Sequence, residues 1–274
     1  MAGTQWALDD IPWHRLEPAG VGDGVLAVIK AAALVEGNAE AYGAYLHRVF
    51  AGDTVFQDAA REWALEEVRH GVALGRWASL VDPAFDFAAA IRDFRNGYRL
   101  PIALETASVR GSRSGELAAR CMVEIGTSSF YSAVAEATGD PVLRILCRHI
   151  AADEFRHYKL FLEHQKRYLA VERIGRGRRL WIGLGRVLEV QDDELAYAYH
   201  AANVAGAAYD RRCAAGAYER RALRCYRRHH VERMVGMAAK ACGFSPRSRW
   251  LRPVERLVWW LMGRRLRRLE RKGA

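Results

Sequence analysis

Two near-copies of one short signature, 87 residues apart, constrain this chain more than any other feature. Each copy carries a carboxylate and an imidazole three positions apart, Glu67 with His70 and Glu154 with His157. On a helix of 3.6 residues per turn, positions i and i+3 lie about 60° apart on one face, so both side chains can converge on one point. This spacing is typical of a pair of metal ligands.

A lone glutamate precedes each pair at nearly the same distance. Glu36 lies 31 residues before Glu67, and Glu124 lies 30 residues before Glu154. The pattern Glu … Glu-x-x-His therefore occurs twice. It predicts four helices of a bundle that donate four carboxylates and two histidines to one dinuclear metal centre.

The types of ligand indicate the metal. Carboxylates with some imidazole suit iron or manganese, whereas a structural zinc site prefers thiolates or several histidines. None of the five cysteines forms a C-x-x-C pair, so a thiolate site is not expected. We therefore predict two iron ions as the cofactor, with a mixed Mn/Fe pair as the alternative.

Both copies share further charged residues beside the predicted ligands. Glu66 and Asp153 precede the glutamates, and Arg69 and Arg156 precede the histidines. A histidine ligand usually donates its second N–H to an outer acceptor, which makes Glu66 and Asp153 candidate acceptors. The arginines would balance surplus negative charge. The alternative, two surface helices with incidental i, i+3 pairs, does not account for this repeated context.

The periodicity of the apolar residues is helical throughout and predicts an all-α chain. After an extended lead-in over 1–22, helices are expected over 25–50, 55–80, 115–138 and 142–170. A long crossover over 96–114 would join the second and third helices of the bundle. Breaks are predicted at Gly52-Asp53-Thr54, with a helix N-cap, and at Gly139-Asp140-Pro141.

Charge divides the chain into two predicted parts. Residues 1–172, the predicted bundle, carry 18 Lys+Arg and 23 Asp+Glu, whereas residues 173–274 carry 24 and 9 and form a basic helical extension. The segment from Pro253 to Lys272 predicts a basic amphipathic helix. Its apolar side either packs on the bundle or meets a membrane surface, an RNA or an acidic protein.

Composition also bears on the compartment. The N-terminal residues lack the basic start and apolar core of a signal peptide, and no apolar run approaches the roughly 18 residues that span a bilayer. Five cysteines, an odd number, favour a reduced environment. We expect a cytoplasmic protein, with peripheral contact to a membrane as an alternative.

The two signatures resemble motifs of a known family. Residues 66–71 (EEVRHG) and 150–157 (IAADEFRH) are similar to the EENRHG and IAADEKRH motifs of the soluble acyl-acyl-carrier-protein desaturases, members of the ferritin-like superfamily. The resemblance covers about 36–157 and implies a ferritin-like four-helix bundle. The iron ligands that it implies are Glu36, Glu67, His70, Glu124, Glu154 and His157.

The resemblance also bears on Thr127 and on the identity of the first ligand. Thr127 falls where the family has a threonine associated with oxygen activation, although a helix threonine can equally bond to a backbone carbonyl. The surroundings of Glu36 match the family poorly, so Glu40, one helical turn later, remains a rival first ligand. The family's Asn and Lys within the motifs are replaced by Val68 and Phe155.

The resemblance implies an O₂-dependent non-haem di-iron oxidoreductase that oxidises an unactivated C–H bond. Its implied partners are an electron donor such as a ferredoxin and a fatty-acyl chain on an acidic carrier protein, which the basic extension would attract. A homodimer is a further expectation. The alternatives are a di-iron hydroxylase of tRNA or of a small metabolite, and a ferritin-like protein that stores iron or scavenges peroxide.

Overall fold

The computed structural model describes residues 6–189, 193–204 and 206–272, and within these ranges every regular element is a helix. The prediction of an all-α chain is confirmed for these residues. The α-helices are α1 (Asp23–Glu36), α2 (Ala39–Val49), α3 (Thr54–Val81), α4 (Phe87–Gly97), α5 (Arg113–Ala137), α6 (Pro141–Glu172), α7 (Arg176–Glu189), α8 (Asp193–Asn203), α9 (Arg211–Cys225), α10 (Arg228–Ala241) and α11 (Leu251–Lys272).

The helix predicted over 25–50 is two helices, because the chain breaks between Glu36 and Ala39. The break lies where α3 approaches most closely: a Cβ atom on Gly71 would lie 2.4 Å from the backbone nitrogen of Gly37. Only glycine allows backbones to approach in this way. The contact holds the end of α1, and with it Glu36, against the middle of α3.

The predicted extended lead-in is also wrong for the residues that the structure describes. Three 3-10 helices, Leu8–Asp10, Trp13–Arg15 and Pro18–Gly20, precede α1. Trp6 and Ile11 are buried in the main core, and the N–H of Glu17 donates to Asp140 at 2.8 Å. These contacts fix the N-terminal segment against α6 and its cap.

The predicted N-cap within Gly52-Asp53-Thr54 is Asp53, and the predicted break at Gly139-Asp140-Pro141 contains a second N-cap, Asp140. The Asp53 carboxylate accepts from the N–H of Phe56 and begins α3, and Asp140 accepts from the N–H of Leu143 and begins α6. Both satisfy backbone N–H groups that the first turn of a helix leaves without a partner. Pro141 occupies the first position of α6, where its missing N–H costs nothing.

The connection between α3 and α5 is longer than the predicted 96–114. It begins after Val81 and contains α4 before the irregular segment 98–112. That segment lies on α2, where the Tyr45 hydroxyl accepts from the N–H of Val109 at 3.3 Å and Arg48 donates to the carbonyl of Ala103. It carries the chain from the α1–α3 half to the α5–α6 half.

Packing joins the two halves and the C-terminal helices into one core. Helix α1 packs on α3, α5 packs along α6, and α3 contacts α6. Of the later helices, α8 and α9 contact α1, and α7, α9 and α10 contact α5. The largest apolar cluster accordingly contains residues from both sides of position 172. The predicted domain boundary there coincides with the end of α6.

Asp140 allows a test of how the N-terminal segment, α3 and α6 pack together. Its side chain is fully buried and accepts three hydrogen bonds, from the N–H of Leu143, from Trp77 Nε1 at 2.9 Å and from the N–H of Glu17. Asp140→Ala should lower the free energy of unfolding by about 2–4 kcal/mol, since it removes a cap and leaves buried donors unpaired. Urea denaturation measures this loss. Asp86→Ala removes an exposed cap of α4 and should lower the free energy of unfolding by only about 1 kcal/mol. Equal losses of stability in the two variants would contradict the role of Asp140.

Candidate metal centre

The six predicted ligands lie together in the protein interior. Ligand atoms of Glu36, Glu67, His70 and Glu154 lie within 4.8 Å of one another, and so do those of Glu67, Glu124, Glu154 and His157. Glu67 and Glu154 belong to both groups. Two groups that share two carboxylates can hold two cations side by side, with the shared carboxylates between them.

Four helices supply these side chains. Helix α1 carries Glu36 at its last position, and α5 carries Glu124. Helices α3 and α6 each supply a glutamate and a histidine one turn apart, as the i, i+3 spacing requires. The rival ligand Glu40 is exposed on α2 and lies 3.7 Å from Arg95. The geometry therefore favours Glu36 over Glu40.

The two imidazoles point their Nδ1 atoms at the carboxylates. His70 Nδ1 lies 2.9 Å from Glu67 Oε2 and 3.1 Å from Glu154 Oε1, and His157 Nδ1 lies 3.2 Å from Glu67 Oε1. Their Nε2 atoms face outward to other carboxylates. If each Nε2 carries the proton that these outward contacts need, each Nδ1 presents a lone pair to carboxylate oxygens, which are also acceptors. A cation between them would satisfy all of these atoms.

The predicted outer acceptors are in place, and they are crossed between the motifs. His70 Nε2 lies 3.1 Å from Asp153, and His157 Nε2 lies 2.7 Å from Glu66. Each motif therefore supplies the acceptor for the histidine of the other. Arg156 donates to both acceptors, at 3.0 Å to Glu66 and 2.7 Å to Asp153, and so links α6 to α3.

Three residues that the sequence analysis did not select contact this centre. The Trp6 Nε1–H donates to Asp153 at 2.8 Å, and its ring lies parallel to His70 with centroids 6.0 Å apart. The buried Arg120 donates to Glu124 at 3.0 Å, and the Tyr131 hydroxyl donates to Glu36. Arg120 could have been found, since it precedes Glu124 by one helical turn. Trp6 has no comparable signal.

Thr127 lies on α5, one turn after Glu124, and its hydroxyl is 2.6 Å from Glu154 Oε2. The same oxygen is 3.2 Å from the carbonyl oxygen of Glu124. A hydroxyl has a single proton to donate, so the backbone and the carboxylate compete for it. The geometry brings Thr127 into contact with one of the two shared carboxylates.

Burial and charge act differently on the four carboxylates. Burial, reinforced by Glu67 and Glu154, raises the pKa of Glu36 well above its usual range, and burial with Glu154 does the same to the pKa of Glu124. For Glu67, burial is outweighed by His157 and His70, and its pKa falls well below the ordinary value. A nearby cation would favour the charged form of Glu36 and Glu124.

Both histidines are strongly basic in this environment. Burial opposes a charge on His70, but the adjacent carboxylates of Asp153, Glu154 and Glu67 outweigh it and raise the pKa of His70 well above its usual value. The pKa of His157 is raised in the same way, against burial, by Glu67 and its other carboxylate partners. Outer acceptors that raise the basicity of an imidazole also make it a better metal ligand.

Buried polar atoms without a hydrogen bond support the fit to metal ions. The buried side-chain atoms of the described residues that have no hydrogen-bond partner include Glu124 Oε2, Glu154 Oε1 and His157 Nδ1. Such atoms are costly unless a ligand satisfies them. All three are donor atoms of the two groups above, and carboxylate with imidazole suits iron or manganese. The residues present therefore fit a dinuclear centre.

A cavity of about 580 Å³ reaches Arg120, and none of the six predicted ligands lines it. Arg120 lines this cavity and also bonds to the ligand Glu124, so one side chain contacts both. Tyr42, Leu100 and Ile102 supply apolar surface, and further arginines, Arg110 among them, lie in its wall. Its volume lies in the range of small-molecule sites.

A second cluster of possible ligands lies near the surface. Glu136 Oε1 is 2.9 Å from His229 Nε2 and 3.2 Å from His230 Nε2. However, His230 Nδ1 accepts from the N–H of Arg227, whose guanidinium group is 3.8 Å from Glu136. This assigns the proton of His230 to Nε2 and places a cation beside the carboxylate. The cluster is an ion-paired cap of α10.

No protein-family profile matches this chain, and no curated protein is significantly similar to it in sequence.

Asp153→Ala should weaken iron retention about 10- to 100-fold, because His70 loses the acceptor that orients it. Asp153→Asn keeps an acceptor oxygen and should lose less. Iron content after dialysis against a graded chelator series measures the effect. Asp58→Ala removes an exposed carboxylate elsewhere on α3 and should leave iron content unchanged. Unaltered retention in Asp153→Ala would exclude this role for Asp153.

Proposed function

We propose that this chain is an O₂-dependent non-haem di-iron oxidoreductase that oxidises an unactivated C–H bond. The observation that carries the proposal is the pair of buried ligand groups that share Glu67 and Glu154. In the proposed arrangement α1, α3, α5 and α6 form a ferritin-like four-helix bundle around the centre. One iron would be held by Glu36 and His70 and the other by Glu124 and His157, with Glu67 and Glu154 contributing to both.

The protein's own residues hold and shield this centre. Asp153 and Glu66 accept the outward N–H groups of the two imidazoles and so fix their orientation. Thr127 donates to a shared carboxylate, and the Trp6 ring stacks on His70. The two iron ions, when bound, would supply the activation of O₂ that hydrogen abstraction from an unactivated carbon requires.

The stoichiometry requires a source of electrons. Hydroxylation takes one O₂, two electrons and two protons, and yields an alcohol and one water. Desaturation takes the same reactants and yields an alkene and two waters. A reduced protein donor such as a ferredoxin would supply the electrons. This donor is part of the proposal, together with the two irons.

The cavity beside Arg120 supports a substrate that combines an apolar body with an anionic group. Leu100 and Ile102 offer apolar contacts. Arg110 lies in the same wall and is paired with Glu189, so an anionic substrate group would compete with Glu189 for its guanidinium group. A fatty-acyl chain, free or carried on an acidic carrier protein, has this chemistry. The excess of basic residues over 173–274 would attract such a carrier. A small-metabolite or tRNA hydroxylase is the alternative within the same reaction class.

Metal stoichiometry tests the centre separately from the reaction. Protein from iron-supplemented cells should contain two irons per chain. Glu67→Ala and Glu154→Ala should lose both, since each removed carboxylate belongs to both groups, whereas Glu36→Ala should retain about one. Elemental analysis provides the measurement. Glu194→Gln, which changes a buried carboxylate bonded to Tyr42, is the matched control and should keep both irons; an iron-free native protein would rule out the centre.

Product analysis tests the reaction itself. Iron-loaded protein, supplied with O₂, reduced ferredoxin and a panel of free and carrier-bound acyl chains, should form a product with one added oxygen atom or two fewer hydrogen atoms. Mass spectrometry detects either change. Iron-depleted Glu67→Ala should form none. Accumulation of iron far above two per chain with no oxidised organic product would instead indicate a storage protein.

A further inference from the structure

Helix α7 is amphipathic, but its apolar side faces solvent. Leu180, Trp181, Leu184, Val187 and Leu188 fall within about 120° of its circumference. Trp181 is 71% exposed and Leu188 is 77% exposed. The opposite side carries Ile182, which is buried against α5. A helix normally turns its apolar stripe toward the core, so this orientation indicates a surface that is covered by something else.

Helix α11 shows the same feature in its first half. Trp250, directly before the helix, and Trp260 within it are 50% and 51% exposed. Val254, Leu257 and Leu261 continue the same exposed side at helical spacing. The two helices are joined through Phe244, which packs edge-on against Trp250 and lies beneath Arg176 of α7. The start of α7 and the start of α11 are therefore neighbours.

Positive charge surrounds both apolar stripes. Arg176 and Arg178 are exposed beside the stripe of α7, and the second half of α11 carries the exposed Arg264, Arg268 and Arg271. Residues 173–274 as a whole carry 24 Lys+Arg against 9 Asp+Glu. Apolar stripes that contain tryptophan and are bordered by arginine are the pattern of helices lying in a membrane interface.

Charge and shape favour a lipid bilayer over a second copy of the chain or an RNA as the partner of these stripes. A second copy of the chain would bring two arginine-rich surfaces together, which like charges disfavour. An RNA would engage the arginines but would leave the aliphatic residues of α7 without a matching surface. A bilayer with anionic headgroups offers hydrocarbon to the stripes and negative charge to the arginines, and it needs no groove in the protein.

We propose that α7 and α11 dock this protein on an anionic lipid bilayer, with their exposed apolar stripes in the interfacial layer and the flanking arginines on the headgroups. Within the described residues, no helix combines the length and the hydropathy of a membrane span. This docking surface is separate from the six predicted metal ligands. It can therefore be tested whether or not the proposed oxidation is correct.

Vesicle co-sedimentation of the full chain tests the proposal. Vesicles of phosphatidylcholine mixed with phosphatidylglycerol should bind the protein at least about tenfold more tightly than phosphatidylcholine alone, and added salt should weaken the binding. Two double variants should each weaken the binding to these anionic vesicles about tenfold: Trp181→Ser with Leu184→Ser, and Leu257→Ser with Trp260→Ser. All four residues are exposed, so the fold should be retained, as circular dichroism would verify.

The matched control is Val55→Ser with Leu65→Ser. These residues are 64% and 61% exposed on α3, away from the two stripes, and their replacement should leave vesicle binding unchanged. Equal weakening by the control, or no binding to the anionic vesicles, would overturn the proposal. It would also be overturned if the protein binds RNA or forms a dimer and the α7 and α11 variants abolish that interaction while vesicle binding persists.

Discussion

The enclosure of four carboxylates in one apolar interior is the constraint on which this structure depends. Glu36, Glu67, Glu124 and Glu154 come from four helices and are all buried. A buried carboxylate is strongly unfavourable unless positive charge or a proton compensates it. Arg120 compensates Glu124 directly, but the other charges converge on the histidines and on the space between them. The buried carboxylates therefore constrain both the chemistry of the centre and the packing of the four helices.

Glu66 and Asp153, which accept from the two imidazoles, connect the centre to the rest of the fold. Glu66 accepts from a histidine of α6, and Asp153 accepts from a histidine of α3. Arg156 joins both, and Trp6 ties the N-terminal segment to Asp153. The duplicated motif therefore works as one interlocked unit. A change in either copy alters the support of the other.

The sequence allowed prediction of the elements that depend on local pattern. The i, i+3 pairs, the breaks at Gly52-Asp53-Thr54 and Gly139-Asp140-Pro141, and the helical class all follow from spacing and turn chemistry, which act within a few residues. The features that were missed depend on distant contacts. The break after Glu36 lies against Gly71, and Trp6 meets Asp153 from 147 positions away. No local pattern encodes such contacts.

Helix α7 shows the same limit, because periodicity identifies an apolar stripe but not the direction in which it faces. Ile182 and Gly183 are buried, whereas Leu180, Trp181, Leu184, Val187 and Leu188 are exposed. The same helix also borders the cavity beside Arg120, through Arg186 and Glu189. These two residues lie on the same side of α7 as the buried Ile182, opposite the exposed apolar stripe. If both proposals hold, α7 lies between the cavity and the lipid surface, and an amphiphilic substrate would have to pass this helix to reach the cavity.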